Sequence, residues 1–304
     1  MRIGRAAAVT DTGLQRLRNE DAFVCEPPLF AVADGMGGAR AGEVAARLAA
    51  TALEEAGRSV DDVAGLISEA NRRIWERSLT DPLTTGMGTT VTAALVDGTS
   101  GAVTIGHVGD SRAYLLRSGA LEQLTSDHSL VAELVEGGVL TPEEAERHPQ
   151  RSAITRALGT EPTVEVDVFT VESAPGDLFL LCSDGLSSMV ADETVASVIE
   201  GAELDPARAA EALVAAANAR GGQDNITVVL FEIVEGDPAE AAPEVTVGTD
   251  PAGGPEPTPP GDGARPAAPV STHGAGKGGR LPALLFVLTV LAIGALLLYW
   301  GISR

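Results

Sequence analysis

Four aspartates carry the chemistry this sequence offers: Asp34, Asp110, Asp184 and Asp224. Each stands near a glycine at the border of an apolar run. Phe30 to Ala33 leads into Asp34-Gly35, and Val103 to Val108 into Gly109-Asp110-Ser111-Arg112. Leu178 to Cys182 leads into Ser183-Asp184-Gly185, while Gly221-Gly222-Gln223-Asp224-Asn225 precedes Ile226 to Phe231. A strand that ends on a carboxylate and turns through glycine presents a fixed side-chain oxygen with a bare backbone carbonyl beside it, here that of Gly35. Hard divalent cations require such oxygens. One Asp-Gly is commonly only a turn. Four, with no histidine–cysteine cluster, point to Mg2+ or Mn2+ rather than Zn2+. Two such ions about 3.5–4 Å apart can clamp a phosphoryl group and ionise the water between them, so phosphate-ester hydrolysis is the chemistry implied.

The elements that must position these residues read as a mixed α+β domain. Strands are expected over Ala22 to Cys25, Leu29 to Ala33, Thr89 to Val96, Ala102 to Val108, Ala113 to Arg117, Leu121 to Leu124, Val164 to Val171, Asp177 to Cys182 and Ile226 to Val234. Helices are expected over Gly42 to Ala56, Asp61 to Leu79 with Asp61 as N-cap, Asp192 to Glu200, and Pro206 to Arg220. Strands and helices do not alternate strictly, which favours a sheet sandwich covered by helices over a doubly wound fold. Asp127 to Ser152 is helical but interrupted by Gly137-Gly138, Pro142 and Pro149, and reads as an insertion over the site.

Composition bounds the partners. The chain has 304 residues and a formal net charge of −22, which argues against a nucleic-acid backbone as ligand. Lys277 is the only lysine, a bias suggesting a GC-rich genome. Cys25 and Cys182 sit in apolar runs and read as buried reduced thiols. Met1 to Val9 lacks the apolar core of a signal peptide. Residues 1–235 form the expected catalytic domain, and composition shifts after it. Gly236 to Arg280 is rich in proline and glycine without an aromatic residue, so a disordered linker spanning roughly 40 Å is expected. Leu281 to Trp300 is uncharged, and at about 1.5 Å per residue spans the hydrocarbon core as one transmembrane helix. Arg265, Lys277 and Arg280 flank its near end, placing the catalytic domain in the cytoplasm and only residues 301–304 beyond the membrane.

The motifs resemble a known family. RNEDA at 18–22, DGMGG at 34–38, GMGTT at 86–90, GDSRAYL at 109–115, CSDGL at 182–186 and GGQDN at 221–225 are similar, in order, to those of the metal-dependent serine/threonine protein phosphatases of the PPM (type 2C) family. The likeness covers residues 3 to 234 and is nearest to bacterial membrane-anchored members that oppose transmembrane serine/threonine kinases. It implies a central antiparallel β-sandwich flanked by helices, in four layers αββα, and a monomer with two or three Mn2+ or Mg2+ ions. By resemblance, Asp34 bridges the first two metals, the Gly35 carbonyl holds the first, and Asp184 and Asp224 hold the second. Asp110, with Asp184 and the Ser152 carbonyl, matches a weaker third site. Arg16 matches the arginine gripping substrate phosphate, where a bidentate fork suits two oxygens. Glu20 and Asp21 match the acidic pair beside the first metal, Glu20 acting through water.

The chain departs from human-type members at Met36, where they carry a histidine proposed as general acid. Among His107, His128, His148 and His273, the strand position of His107 favours a core role. His128 and His148, in the insertion, are the candidate proton donors, with metal-bound water the alternative. Phosphoserine and phosphothreonine in proteins are the expected substrates, membrane-anchored kinases among them. A catalytically degenerate phosphoprotein-binding module at the membrane and a two-metal hydrolase of small phosphorylated metabolites or nucleic acid, the latter disfavoured by the acidity, are the competing readings.

Overall fold

Apolar runs between turns become strands, and the computed structural model, which describes residues 1–36, 41–57, 62–236 and 243–249, shows how they stack. The strands are β1 (Arg2–Asp11), β2 (Ala22–Glu26), β3 (Leu29–Ala33), the short β4 (Gly35–Met36) and β5 (Gly88–Thr89), β6 (Val91–Val96), β7 (Val103–Val108), β8 (Arg112–Arg117), β9 (Ala120–Gln123), β10 (Asp167–Val171), β11 (Leu178–Cys182), β12 (Ile226–Val234) and β13 (Glu244–Thr249). The helices are α1 (Ala41–Gly57), α2 (Val63–Thr80), α3 (Leu130–Glu136), α4 (Pro142–Glu146), α5 (Asp184–Ser187), α6 (Asp192–Gly201) and α7 (Pro206–Ala219).

Two sheets result, ordered β13-β1-β12-β11-β8-β9 and β10-β7-β6-β3-β2, with β4 and β5 as a separate pair. Neighbours pair antiparallel except β13, which runs parallel to β1. β3 and β11 are apolar and buried at every position because both faces are covered. In β3, Leu29, Ala31 and Ala33 meet α1 and α2, while Phe30 and Val32 meet the opposing sheet. In β12, Val228 and Leu230 pack on α6 and α7, while Val229, Phe231 and Ile233 turn inward. Phe231 stacks between Phe30 and Phe179, with centroids at 4.1 and 5.0 Å. Burying each such ring contributes on the order of 2–3 kcal/mol. The layers are therefore helix, sheet, sheet, helix, as expected.

This topology fixes where the site lies. β3 and β7 both run antiparallel to β6, so both end at the same edge of their sheet. β1 and β11 both run antiparallel to β12, so both end where β12 begins. The segments after β1, β3, β7 and β11, and the one before β12, thus share one end of the sandwich.

Two expectations are corrected. Asp62 rather than Asp61 caps α2, its carboxylate accepting the Ala64 N–H; nothing but the register of the first turn separates two adjacent aspartates. The disorder expected across 236–280 fails at β13. Val245 and Val247 stay exposed, but pairing at a sheet edge needs backbone groups rather than a buried side-chain face. The compact unit accordingly runs from Met1 to Gly254. The helix expected over 281–300 and the rest of the linker lie outside the described residues; among those described, no helix is long and apolar enough to cross a membrane. Both cysteines are free and buried.

Candidate active site

Asp34 leaves β3 with its backbone pinned three ways. Its carbonyl accepts the Thr90 N–H at 2.9 Å and the Thr89 hydroxyl at 2.8 Å, and its N–H donates to Thr90 Oγ1 at 3.1 Å. The next residue must be small. A Cβ on Gly35 would run into the carbonyls of Glu20 and of Gly42 in α1. Asp184 opens α5, directly after Ser183. Asp110 follows Gly109, which adopts φ +115°, the left-handed region, and whose missing Cβ would lie 2.5 Å from Thr90.

Asn225 holds the loop between β1 and β2. It is buried, its amide donates to the carbonyls of Thr12 (2.9 Å) and Arg18 (2.8 Å), and its Oδ1 accepts the Glu20 N–H (2.8 Å). Gly222 adds its carbonyl, accepting from Leu14 and Gln15. Arg16 is thereby delivered to Asp224, with Nη2 2.5 Å from Oδ2. Asp21 lies beneath, one oxygen accepting the hydroxyls of Ser183 (2.8 Å) and Thr227 (2.7 Å).

The carboxylates act on one another. Burial foremost, with the charges of Asp21, Asp184, Asp110 and Asp224, raises Asp34 well above the ordinary range. Burial pushes Asp21 up to about 7 against the hydrogen bonds of Thr227 and Ser183. Asp110 rises to about 7 through burial and then Asp184. Asp184 rises to about 6 through burial and Asp224, moderated by a hydrogen bond with Asp34. Glu20 rises through burial, countered by Arg16.

Among the described residues, no three carboxylate, histidine or cysteine side chains already converge as a finished ligand set. The unmet valences nevertheless fit one. Asp21 Oδ1, Asp110 Oδ1 and Asp184 Oδ1 are buried without a hydrogen-bond partner. Oxygens so placed cost free energy unless a cation satisfies them, and an all-oxygen donor set suits Mg2+ or Mn2+.

Asp34, Asp110, Asp184, Asp224, Glu20, Asp21 and Arg16 are thus brought within one electrostatic neighbourhood. Ser152 is not joined to it by any hydrogen bond among the described residues. It is exposed in the turn that Ala153 N–H closes onto Gln150. Neither candidate proton donor points freely at the cluster. His128 is buried with both ring nitrogens engaged, and His148 accepts the Gln150 N–H. His107 is buried too, and burial, with His128 adding, lowers it to about 4. His273 lies outside the described residues. Sequence reasoning missed the bracing by Asn225, Ser183, Thr227 and Thr90.

Comparison with known proteins agrees with this geometry. Residues 15–216 match the family described as protein phosphatase 2C. The chain belongs to that family. It is 43% identical over 245 residues to the serine/threonine protein phosphatase PstP of Mycobacterium tuberculosis, a match covering 79% of this chain and 47% of that protein. The chain therefore spans about half the length of that curated relative. The crystal structure of M. tuberculosis PstP/Ppp superposes with a TM-score of 0.72 at 42% identity, covering 77% of this chain and all of that one. A PstP catalytic domain in complex with two manganese ions superposes with a TM-score of 0.69 at 39% identity, covering 77% of this chain and 99% of that chain.

Proposed function

We propose that this protein phosphatase 2C family member hydrolyses phosphoserine and phosphothreonine in proteins, using Mn2+ or Mg2+. The observation that carries the reading is the set of buried, partnerless carboxylate oxygens beside an exposed arginine. Asp34 and the Gly35 carbonyl would hold one ion, with Asp34, Asp184 and Asp224 holding the second. Asp110, Asp184 and the Ser152 carbonyl would take a weaker third. Glu20 would act through water beside Asp21. When bound, the ions supply an ionised water and a clamp for charge on the phosphoryl oxygens.

The chain's own residues do the rest. Arg16 binds the phosphoryl group. Its contact with Asp224 joins side chains 51% and 29% exposed, and such pairs contribute only about 0.2–1 kcal/mol. The guanidinium can therefore turn from one carboxylate oxygen to two phosphoryl oxygens at small cost. Asn225 and Gly222 keep the Arg16 loop in place during that turn. Asp21, gripped by two hydroxyls through one oxygen, keeps its second oxygen buried and without a partner.

We further read residues 281–300 as a single membrane anchor holding a monomeric, cytoplasmic catalytic domain near phosphoproteins that include transmembrane kinases. The uncharged run and its basic flank support this. The test of function is turnover of a phosphothreonine peptide by the full chain. Chelation is expected to abolish it, and Mn2+ to restore it. Full turnover after exhaustive chelation would refute the reading.

A further inference from the structure

His128 has no role in the reading above, yet it is buried 7% exposed and spends its whole polar inventory on its surroundings. Its backbone N–H donates to the Gly109 carbonyl at 2.7 Å, and its Nδ1 accepts the Gly109 N–H at 3.0 Å. Gly109 is thus gripped on both sides in a conformation only glycine adopts easily, one residue before Asp110. Because Nδ1 accepts, a ring hydrogen on Nε2 faces Asp167 Oδ2 at 3.1 Å, with Arg156 Nη1 3.0 Å from the same nitrogen. The other oxygen of Asp167 meets Arg156 Nη1 at 2.6 Å. Burial works against Asp167, but hydrogen bonds from His128 and Arg156 hold it below the ordinary range. The His128 carbonyl accepts the Thr155 N–H at 2.8 Å, and the His107 ring backs the imidazole at a centroid distance of 4.7 Å.

We propose that His128 is a positioning residue: by clamping Gly109 it aims the Asp110 carboxylate, and through Asp167 and Arg156 it couples that carboxylate to the segment after Ser152. The inference rests on Asp110 being a cation ligand. A ligand's orientation depends on such outer contacts, whose loss commonly costs about 10–100-fold in metal affinity or activity.

The experiment uses the full chain and two readouts that need no turnover: hydrogen exchange at the Gly109 amide in the chelated protein, and calorimetric Mn2+ titration. His128→Gln keeps a polar atom toward Asp167 but offers Gly109 nothing. Exchange at Gly109 is expected to quicken and the weakest Mn2+ site to weaken, each by about tenfold or more, with the phosphopeptide KM unchanged. His128→Asn, whose Oδ1 falls where Nδ1 stood, should restore both to within about threefold of the parent. Unchanged exchange and affinity in His128→Gln would overturn the proposal, as would His128→Asn performing no better. If His128→Gln does not fold, Asp167→Asn decides, since that side chain is 45% exposed. It should weaken the same site about threefold, and no change overturns the proposal. A parent that binds Mn2+ yet turns over no phosphopeptide would instead sink the proposed function, leaving these two readouts to judge His128.

Discussion

Replacing Asp34 by Asn is expected to lower kcat by about a thousandfold or more, equivalent to about 4 kcal/mol of transition-state stabilisation, with the fold retained. The substitution keeps the shape of the side chain and leaves untouched the backbone bonds to Thr89 and Thr90 that set its position. What it removes is a carboxylate whose pKa is raised by burial first and then by the charge of its neighbours. A neutral amide relieves that repulsion, so thermal stability of the chelated variant should match or exceed the parent's. The sign with pH follows from the same groups. Asp21 and Asp110, pushed up to about 7, and Asp184, to about 6, hold protons in the folded state that an unfolded chain releases near pH 4. The chelated parent should therefore lose stability as pH rises from about 4 to about 7, and Asp34→Asn should flatten that loss. Scanning calorimetry across this range checks it. A folded Asp34→Asn with near-normal turnover would refute the role of Asp34.

Arg16→Ala is expected to act on the other kinetic parameter. A charge-assisted bond to phosphate contributes about 1.5–3 kcal/mol, so KM for a phosphopeptide should rise about 10–100-fold while kcat falls only a few-fold. The side chain is half exposed and its contact with Asp224 is weak, so stability should scarcely change. Arg16→Lys should recover part of the loss, since a point charge cannot make the two-pronged contact. Steady-state kinetics with one peptide at saturating Mn2+ separates the parameters. A fall in kcat at unchanged KM would contradict the role.

Much of this site was legible because strand periodicity and glycine mark it locally. Asp34 follows its apolar strand directly, Asp110 and Asp184 come one residue after theirs, and Asp224 stands two residues before one, so the strand ends alone placed the carboxylates. Their bracing was not legible. Asp21 is held by Ser183 and Thr227, and Glu20 by Asn225, across separations of 162, 206 and 205 residues. Hydroxyls and amides carry no periodic signal, so only the antiparallel pairing of β1 with β12 reveals them. α5 is one turn long, too short for a 3.6-residue period to appear. β13 was hidden for a different reason: a polar, proline-flanked segment cannot build a core, yet it can complete the edge of one already built. The histidines of the insertion read as possible acids because their type suggests it, whereas the hydrogen bonds of His128 commit both ring nitrogens to structure.

The central claim is that these separated aspartates hold divalent ions together. Anomalous diffraction at the manganese edge, from crystals of the protein grown with Mn2+, tests it most directly. The account predicts at least two adjacent peaks bounded by the carboxylates of Asp34, Asp184 and Asp224. Peaks elsewhere only, or none there at saturating Mn2+, would contradict it.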